Sequence, residues 1–294
     1  MKLDYKILWI EDDENFKISI KKDIEHHILD KGFNPIIETP NKLSSENIKT
    51  ENFKDYDLML IDFTLKSLAD QSGDIIIEKI RSKSIFTNIV FYSSDTERLK
   101  KEIHEKRLNG VYLYDRTDFE KDNIDTFFEL VDFFLEKDMD INTLRGITMA
   151  EVAQFDKIIW NIIEKENCKE EVADKIKKQK QDSFNKIKDL SNDDLWLKAK
   201  NEGTKIFDSS CRKDVLHSKI LKDKYHCNDF CNKSKNCYID IMNKYTTDVL
   251  KYRNELAHHI IPKITKEQSL ELRKNLINFR NIFKEMEECL CSKP

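Results

Sequence analysis

The chain has 294 residues, 39% hydrophobic and 36% charged, with 5 glycines, 4 prolines and a formal net charge of −4. The apolar content suffices for packed cores, the scarcity of Gly and Pro excludes a disordered or repeat-type chain, and the mild acidity excludes broad electrostatic capture of nucleic acid while leaving room for a local basic groove. No apolar run approaches the ~20 residues needed to span a bilayer, and the first residues read as a strand, not a signal peptide. A cytoplasmic, two-domain protein with no membrane partner is therefore expected, its seven cysteines being thiols or metal ligands rather than disulfides.

In chain order, Tyr5–Ile10 is a short apolar run that ends in Glu11-Asp12-Asp13, and an amphipathic helix follows from about Asn15 to Lys31. Ile36-Ile37 supplies a second strand, and Tyr56–Ile61 a third that ends in Asp62. A helix runs from Gly73 through Ile80. Asn88–Tyr92 is a fourth strand ending in Ser93-Ser94, and Gly110–Tyr114 a fifth followed by Asp115-Arg116. A helix from about Asp122 to Glu136 closes the unit. Short apolar strands alternating with helices predict an α/β domain over 1–138, with a five-stranded, doubly wound parallel sheet covered on both faces.

Polar residues collect at the carboxyl ends of three strands, where open α/β sheets bind ligands. Glu11, Asp12 and Asp62 in one crevice would repel one another unless a hard divalent cation sat among them, and oxygen ligands suit Mg²⁺. One of these carboxylates could then accept a phosphoryl group as a nucleophile.

This constellation resembles the receiver domain of two-component response regulators, over roughly residues 4–137. The resemblance implies Glu11 and Asp12 as the metal-binding pair, with Asp13 less suited to direct ligation. It implies Asp62 as phosphoacceptor and the Thr64 backbone carbonyl as a further Mg²⁺ ligand. Ser93 falls at the hydroxyl position that senses the phosphoryl group, and Tyr112 or Tyr114 at the aromatic switch. A cognate histidine kinase is the implied partner. Two features depart from the family: a longer loop after Asp62 carrying Lys66, and Asp115-Arg116 where the family has a lysine. Arg116 is the residue left to supply that charge, although an Arg fork is not a Lys point charge.

Residues 139–147 have few apolar positions and read as a linker. Over 148–294 helical periodicity takes over and predicts an all-α bundle. Ile147, Met149, Val152, Phe155, Ile158, Ile159, Ile162 and Ile163 form one wide apolar stripe; Val172 and Ile176, then Phe184 and Ile187, suggest another helix. Ser191-Asn-Asp-Asp194 is a helix start, and Thr265-Lys-Glu-Gln268 spells a capping box opening a last helix. Between them a helix from near Tyr238 carries Ile239, Met242, Tyr245, Val249, Tyr252 and Leu256 at helical spacing and is stopped by Pro262. Near its end, Asn254 and His258 lie about 40° apart on one face and Arg253 about 100° to the other side of Asn254. A guanidinium fork for phosphate oxygens beside an imidazole that moves protons near neutral pH makes a phosphate site.

Arg253-Asn-Glu-Leu-Ala-His258, late in a helical bundle, resembles the motif of the HEPN superfamily (higher eukaryotes and prokaryotes nucleotide-binding). The resemblance implies a metal-independent endoribonuclease that leaves 2′,3′-cyclic phosphate ends. Arg253 would stabilise the transition state, Asn254 orient the phosphate or His258, and His258 transfer the proton. It also implies a homodimer pairing two motifs around an RNA substrate, with stress response or phage defence as the setting; His259 points away. A non-catalytic signalling or dimerisation adaptor is the alternative. Arg and His near a helix C-terminus also complement its dipole. Finally, Cys227, Cys231 and Cys237, with Cys211, His217 or His226, cluster in sequence. They are open to two readings, free cysteines or a structural Zn²⁺ site; the spacing is not one of the strong zinc spellings. Tyr225 and Phe230, interleaved with lysines, read as a solvated loop in preference to an RNA contact.

Overall fold

Five parallel strands form the N-terminal sheet: β1 (Asp4–Ile10), β2 (Asn34–Glu38), β3 (Leu58–Asp62), β4 (Asn88–Ser93) and β5 (Val111–Asp115), in the order β2-β1-β3-β4-β5. This computed structural model describes residues 3–40, 53–65, 72–106, 108, 110–120, 123–179, 190–205, 207–224, 238–258 and 264–291. Two compact units divide the chain, Lys2–Asp140 and Ile141–Pro294. The sheet followed by helices is the expected α/β then all-α organisation.

Alternation along the strands builds two cores. Leu8, Ile10, Met59, Ile61, Ile89 and Phe91 face one side, where α2 (Gly73–Ser82) contributes Ile76, Ile77 and Ile80, and α3 (Thr96–Lys106) contributes Leu99. Tyr5, Ile7, Trp9, Leu58, Leu60, Val90 and Tyr92 face the other, under α1 (Glu14–Asp30) and α4 (Asp125–Glu136). Helices on both faces bury all of β3 and most of β1 and β4, which is why these strands read as nearly continuous apolar runs. Helix α3 is not visible in the hydrophobic pattern. Only Leu99 and Ile103 along Thr-Glu-Arg-Leu-Lys-Lys-Glu-Ile-His-Glu-Lys are apolar, and Leu99 alone is buried.

The second unit begins with α5 (Ile141–Lys165), so most of the stretch 139–147 is helix and not linker. Leu144 and Ile147 are buried there, and the Thr148 hydroxyl donates to the Leu144 carbonyl. The polar Asn142, Thr143 and Arg145 between them gave the segment its linker-like composition. Then come α6 (Lys169–Gln179), α7 (Asn192–Glu202) and α8 (Ser209–Val215), which runs on into a π-helical stretch, Leu216–Lys224. Helix α9 (Tyr238–Tyr245) passes through a π turn, Thr246–Leu250, into α10 (Lys251–His258), and α11 (Lys266–Cys291) follows. Both expected caps form. The Ser191 side chain accepts from the Asp194 N–H, and Thr265 and Gln268 exchange bonds of 2.9 and 3.2 Å. Helices α5 and α11 run side by side, joined by a bidentate Arg280–Glu151 pair, by Asn161–Glu287 at 2.7 Å and by the stacked Phe155 and Phe283 rings. No helix among the described residues is long and apolar enough to cross a membrane.

Candidate functional site

The carboxyl ends of β1 and β3 are neighbours in the sheet, Ile10 opposite Ile61. This brings Glu11, Asp12 and Asp62 together, with one carboxylate oxygen of each inside a 4.8 Å cluster. Glu11 and Asp62 are buried. Burial and the charge of Glu11 push the Asp62 carboxyl up to about 6, although the Thr64 N–H and Arg116 oppose the shift. Burial likewise raises Glu11. Three carboxylates within this distance form an all-oxygen donor set suited to a hard divalent cation such as Mg²⁺.

Asp13 is used otherwise. One of its oxygens caps α1 by accepting from Asn15 and Phe16 N–H, and the other takes the Arg116 guanidinium at 2.8 Å. Arg116 lies over the Phe16 ring at 4.1 Å and reaches Glu11 at 3.6 Å. It thus brings positive charge from the end of β5 to the acidic cluster. Ser93 is buried at the end of β4, its hydroxyl accepting from the Asp95 N–H. Tyr112 packs edge-on against Phe134, and the Tyr114 hydroxyl donates to the Thr126 carbonyl. Both are half-buried on the α4 side of β5. Gly73, at the start of α2, lies so close to β3 that a Cβ there would sit 2.2 Å from the Asp62 carbonyl oxygen.

Sequence reasoning missed the residues that hold Glu11. The Trp9 indole N–H donates to the Tyr92 hydroxyl at 2.7 Å, which donates to Glu11 Oε2 at 2.9 Å. A tyrosine among aliphatic residues at a strand end was the available signal, but its partner comes from another strand. Tyr92→Phe is expected to leave both the indole N–H and Glu11 Oε2 short of a partner. The cost should be about 1–3 kcal/mol, read as a lower denaturant midpoint at unchanged slope.

In the second unit, Arg253 and Asn254 meet: Nη1 donates to the Asn254 side-chain oxygen at 2.8 Å. Nη2 donates to the Ser209 hydroxyl at 3.2 Å, and Ser209 donates to buried Asp156 Oδ2 at 2.6 Å. Arg212 donates to the Asp156 and Phe207 carbonyls and lies over the Trp160 ring. Burial raises the Asp156 carboxyl against the opposing pull of Ser209, Arg212 and Arg253. Burial and the nearby Asp156 also raise the Tyr245 hydroxyl. The signal for this group was an acid at 156 on the otherwise apolar inward face of α5. His258, one turn beyond Asn254, is exposed and bonds to neither Arg253 nor Asn254. At this helix end Arg145 Nε donates to the Leu256 carbonyl at 2.8 Å, satisfying one of the terminal carbonyls.

No family model and no curated protein matches the chain. The assignment of both sites therefore rests on their own chemistry. Of the sequence-derived zinc candidates, Cys211 lies on α8, where burial and Asp208 push its thiol up to about 11, and His217 lies in the π-helical stretch. His226, Cys227, Cys231 and Cys237 fall outside the described residues, as do Lys66, Phe184, Ile187, Tyr225, Phe230, His259 and Pro262. Among the described residues, the acidic trio is the group with metal-holding geometry.

Proposed function

We propose that the chain is a response regulator in which phosphorylation of Asp62 controls an endoribonuclease carried by the helical unit. The observation that carries this reading is the convergence of Glu11, Asp12 and Asp62 at the carboxyl edge of the sheet, with Arg116 alongside. An Asp62 oxygen attacks the phosphorus of a donor such as a kinase phosphohistidine. The donor's P–N bond breaks, and the phosphoryl group ends on Asp62. Glu11, Asp12, Asp62 and the Thr64 carbonyl are the groups that would hold Mg²⁺, which supplies neutralisation of the phosphoryl oxygens. Arg116 adds charge from β5, and the Ser93 hydroxyl at the end of β4 senses the new group.

For the output, Arg253 stabilises charge on the phosphorane-like transition state, Asn254 holds the Arg253 fork, and His258 transfers the proton. The RNA 2′-oxygen attacks the adjacent phosphorus and the 5′-oxygen leaves, giving a 2′,3′-cyclic phosphate and a 5′-hydroxyl. A homodimer pairing two such helices supplies the composite cleft, and phosphorylation acts by shifting the population of paired forms. Stress response or phage defence is the setting this chemistry suits.

One observation favours the second reading, a non-catalytic adaptor: Arg253 is engaged by Asn254 and Ser209, not by His258. The deciding experiment is RNA cleavage with and without beryllofluoride and Mg²⁺, comparing wild type with Asp62→Ala. The expected result is a change in rate that the variant lacks. Equal rates in all four reactions sink the switch, and dimerisation without cleavage in any of them favours the adaptor.

A further inference from the structure

The two side-chain bonds that Arg253 makes among the described residues are not equivalent. Nη1 donates to Asn254, the next residue on α10, so that contact travels with the helix and cannot fix the guanidinium relative to the bundle. Nη2 donates to Ser209 Oγ on α8, 44 residues away in the chain. This second bond ties the fork to another part of the unit.

Ser209 is itself firmly held. It is buried in the first turn of α8, which Asp208 caps by accepting from the Cys211 N–H at 2.9 Å. Two residues of that helix grip α5 at the same point: Ser209 donates to Asp156 Oδ2 at 2.6 Å, and Arg212 Nη1 donates to the Asp156 carbonyl at 2.9 Å. Asp156 Oδ1 has no hydrogen-bond partner among the described residues, so Ser209 is the one donor there to this buried carboxylate. A hydroxyl has a single proton. With that proton committed to Asp156, only the lone pairs of Ser209 Oγ remain, and they suit a guanidinium, which donates and cannot accept.

We infer that Ser209 and Asp156 are positioning residues for Arg253: Asp156 sets the direction of the Ser209 hydroxyl, and that hydroxyl locks the Arg253 fork in place before any phosphate arrives. The arrangement uses two of the five guanidinium N–H donors and leaves three, among the described residues, for phosphate oxygens. A donor already aimed costs no reorganisation at the moment charge develops, and supporting hydrogen bonds of this kind are what keep it aimed. The inference rests on the reading of Arg253 as the group that stabilises the transition state. It adds two residues that act through Arg253.

Nitrogen NMR of the Arg253 guanidinium in the full chain reads the lock without requiring cleavage, its signals being assigned by their loss in Arg253→Lys. A fork held at both Nη atoms cannot turn about its Nε–Cζ bond, so wild type is expected to show separate Nη1 and Nη2 signals. In Ser209→Ala they should merge. Asp156→Ala should merge them as well, because the Ser209 proton is then free to turn toward the guanidinium. Asp156→Asn offers Ser209 an oxygen acceptor in the same place and should keep them apart; this pair carries the test should Ser209→Ala fail to fold. In RNA cleavage, Ser209→Ala should lower kcat by about 10²-fold, the size expected for a misaimed group. KM should change by less than about threefold, because the charge stays and only its aim is lost. The inference is overturned if the signals are already merged in wild type, if Ser209→Ala leaves them apart, if Asp156→Asn merges them as alanine does, or if KM rises while kcat holds. If wild type cuts no RNA, the ribonuclease reading falls and the guanidinium signals alone decide this inference. If RNA is cut and Ser209→Ala changes neither the signals nor kcat, that reading stands and this inference falls.

Discussion

Replacing His258 by alanine is expected to slow RNA cleavage by about 10²–10⁴-fold, the range for losing a positioned proton-transfer group. The same change should leave the thermal midpoint untouched. The imidazole is exposed and makes no side-chain bond among the described residues, and the Leu256 carbonyl of α10 is satisfied by Arg145. Surface substitutions of this kind cost no more than about 0.5 kcal/mol. Arg253→Ala should abolish cleavage too, but with a second signature. It removes the donor to Ser209 and a cation that favours the ionised form of buried Asp156, so stability should fall along with activity. Arg253→Lys keeps the charge and loses the two-pronged contact to Asn254 and Ser209, and should behave as a partial version of the alanine variant. Cleavage by His258→Ala at the wild-type rate, read by end-group analysis of the products, would remove the assigned role.

Asp62→Asn is expected to stabilise the cation-free protein by roughly 2–3 kcal/mol near pH 7.5 while eliminating phosphoryl transfer. The sign follows from the direction of the shift. Asp62 titrates at about 6 in the fold against an ordinary 3.8, so folding favours its protonated form. Its contribution to stability is fully present below pH 3.8 and is lost as the pH rises through about 6. The gain from asparagine should therefore be absent below about pH 4, grow between pH 4 and 6, and level off above. Adding Mg²⁺ should raise the wild-type midpoint by mass action and the variant's by less. Denaturant titrations in EDTA across this range provide the check. A variant that is less stable than wild type at pH 7.5 would mean that burial and the neighbouring Glu11 do not disfavour the ionised Asp62 carboxylate.

Much of the first unit was legible in the chain because its signals are local. Apolar runs such as Leu58–Asp62 and Asn88–Ser93 end in a carboxylate or a hydroxyl, and the helices between them force parallel pairing, so the polar ends must share one edge. Helix α3 escaped because only Leu99 and Ile103 among its 11 residues are apolar, too few to stand out from a charged loop. The start of α5 was obscured by polar residues on its outer face. In the second unit, the caps at Ser191 and Thr265 and the spacing of Arg253, Asn254 and His258 along one helix were readable for the same reason: each is set within six consecutive residues.

What the sequence by itself determined, then, is the order and type of the main elements and the residues that reach the sheet edge and the end of α10. Tertiary structure alone decided their partners. Arg116 turns to Asp13 and Glu11 and so brings charge to the acidic cluster; Tyr92 and Trp9 lock Glu11; Arg253 reaches through Ser209 to Asp156 across three helices. The physical reason is common to all three. A buried polar group must find a partner or bear the full cost of leaving water, and which partner is within reach depends on packing between segments tens of residues apart. Periodicity along one helix or strand carries no record of that choice.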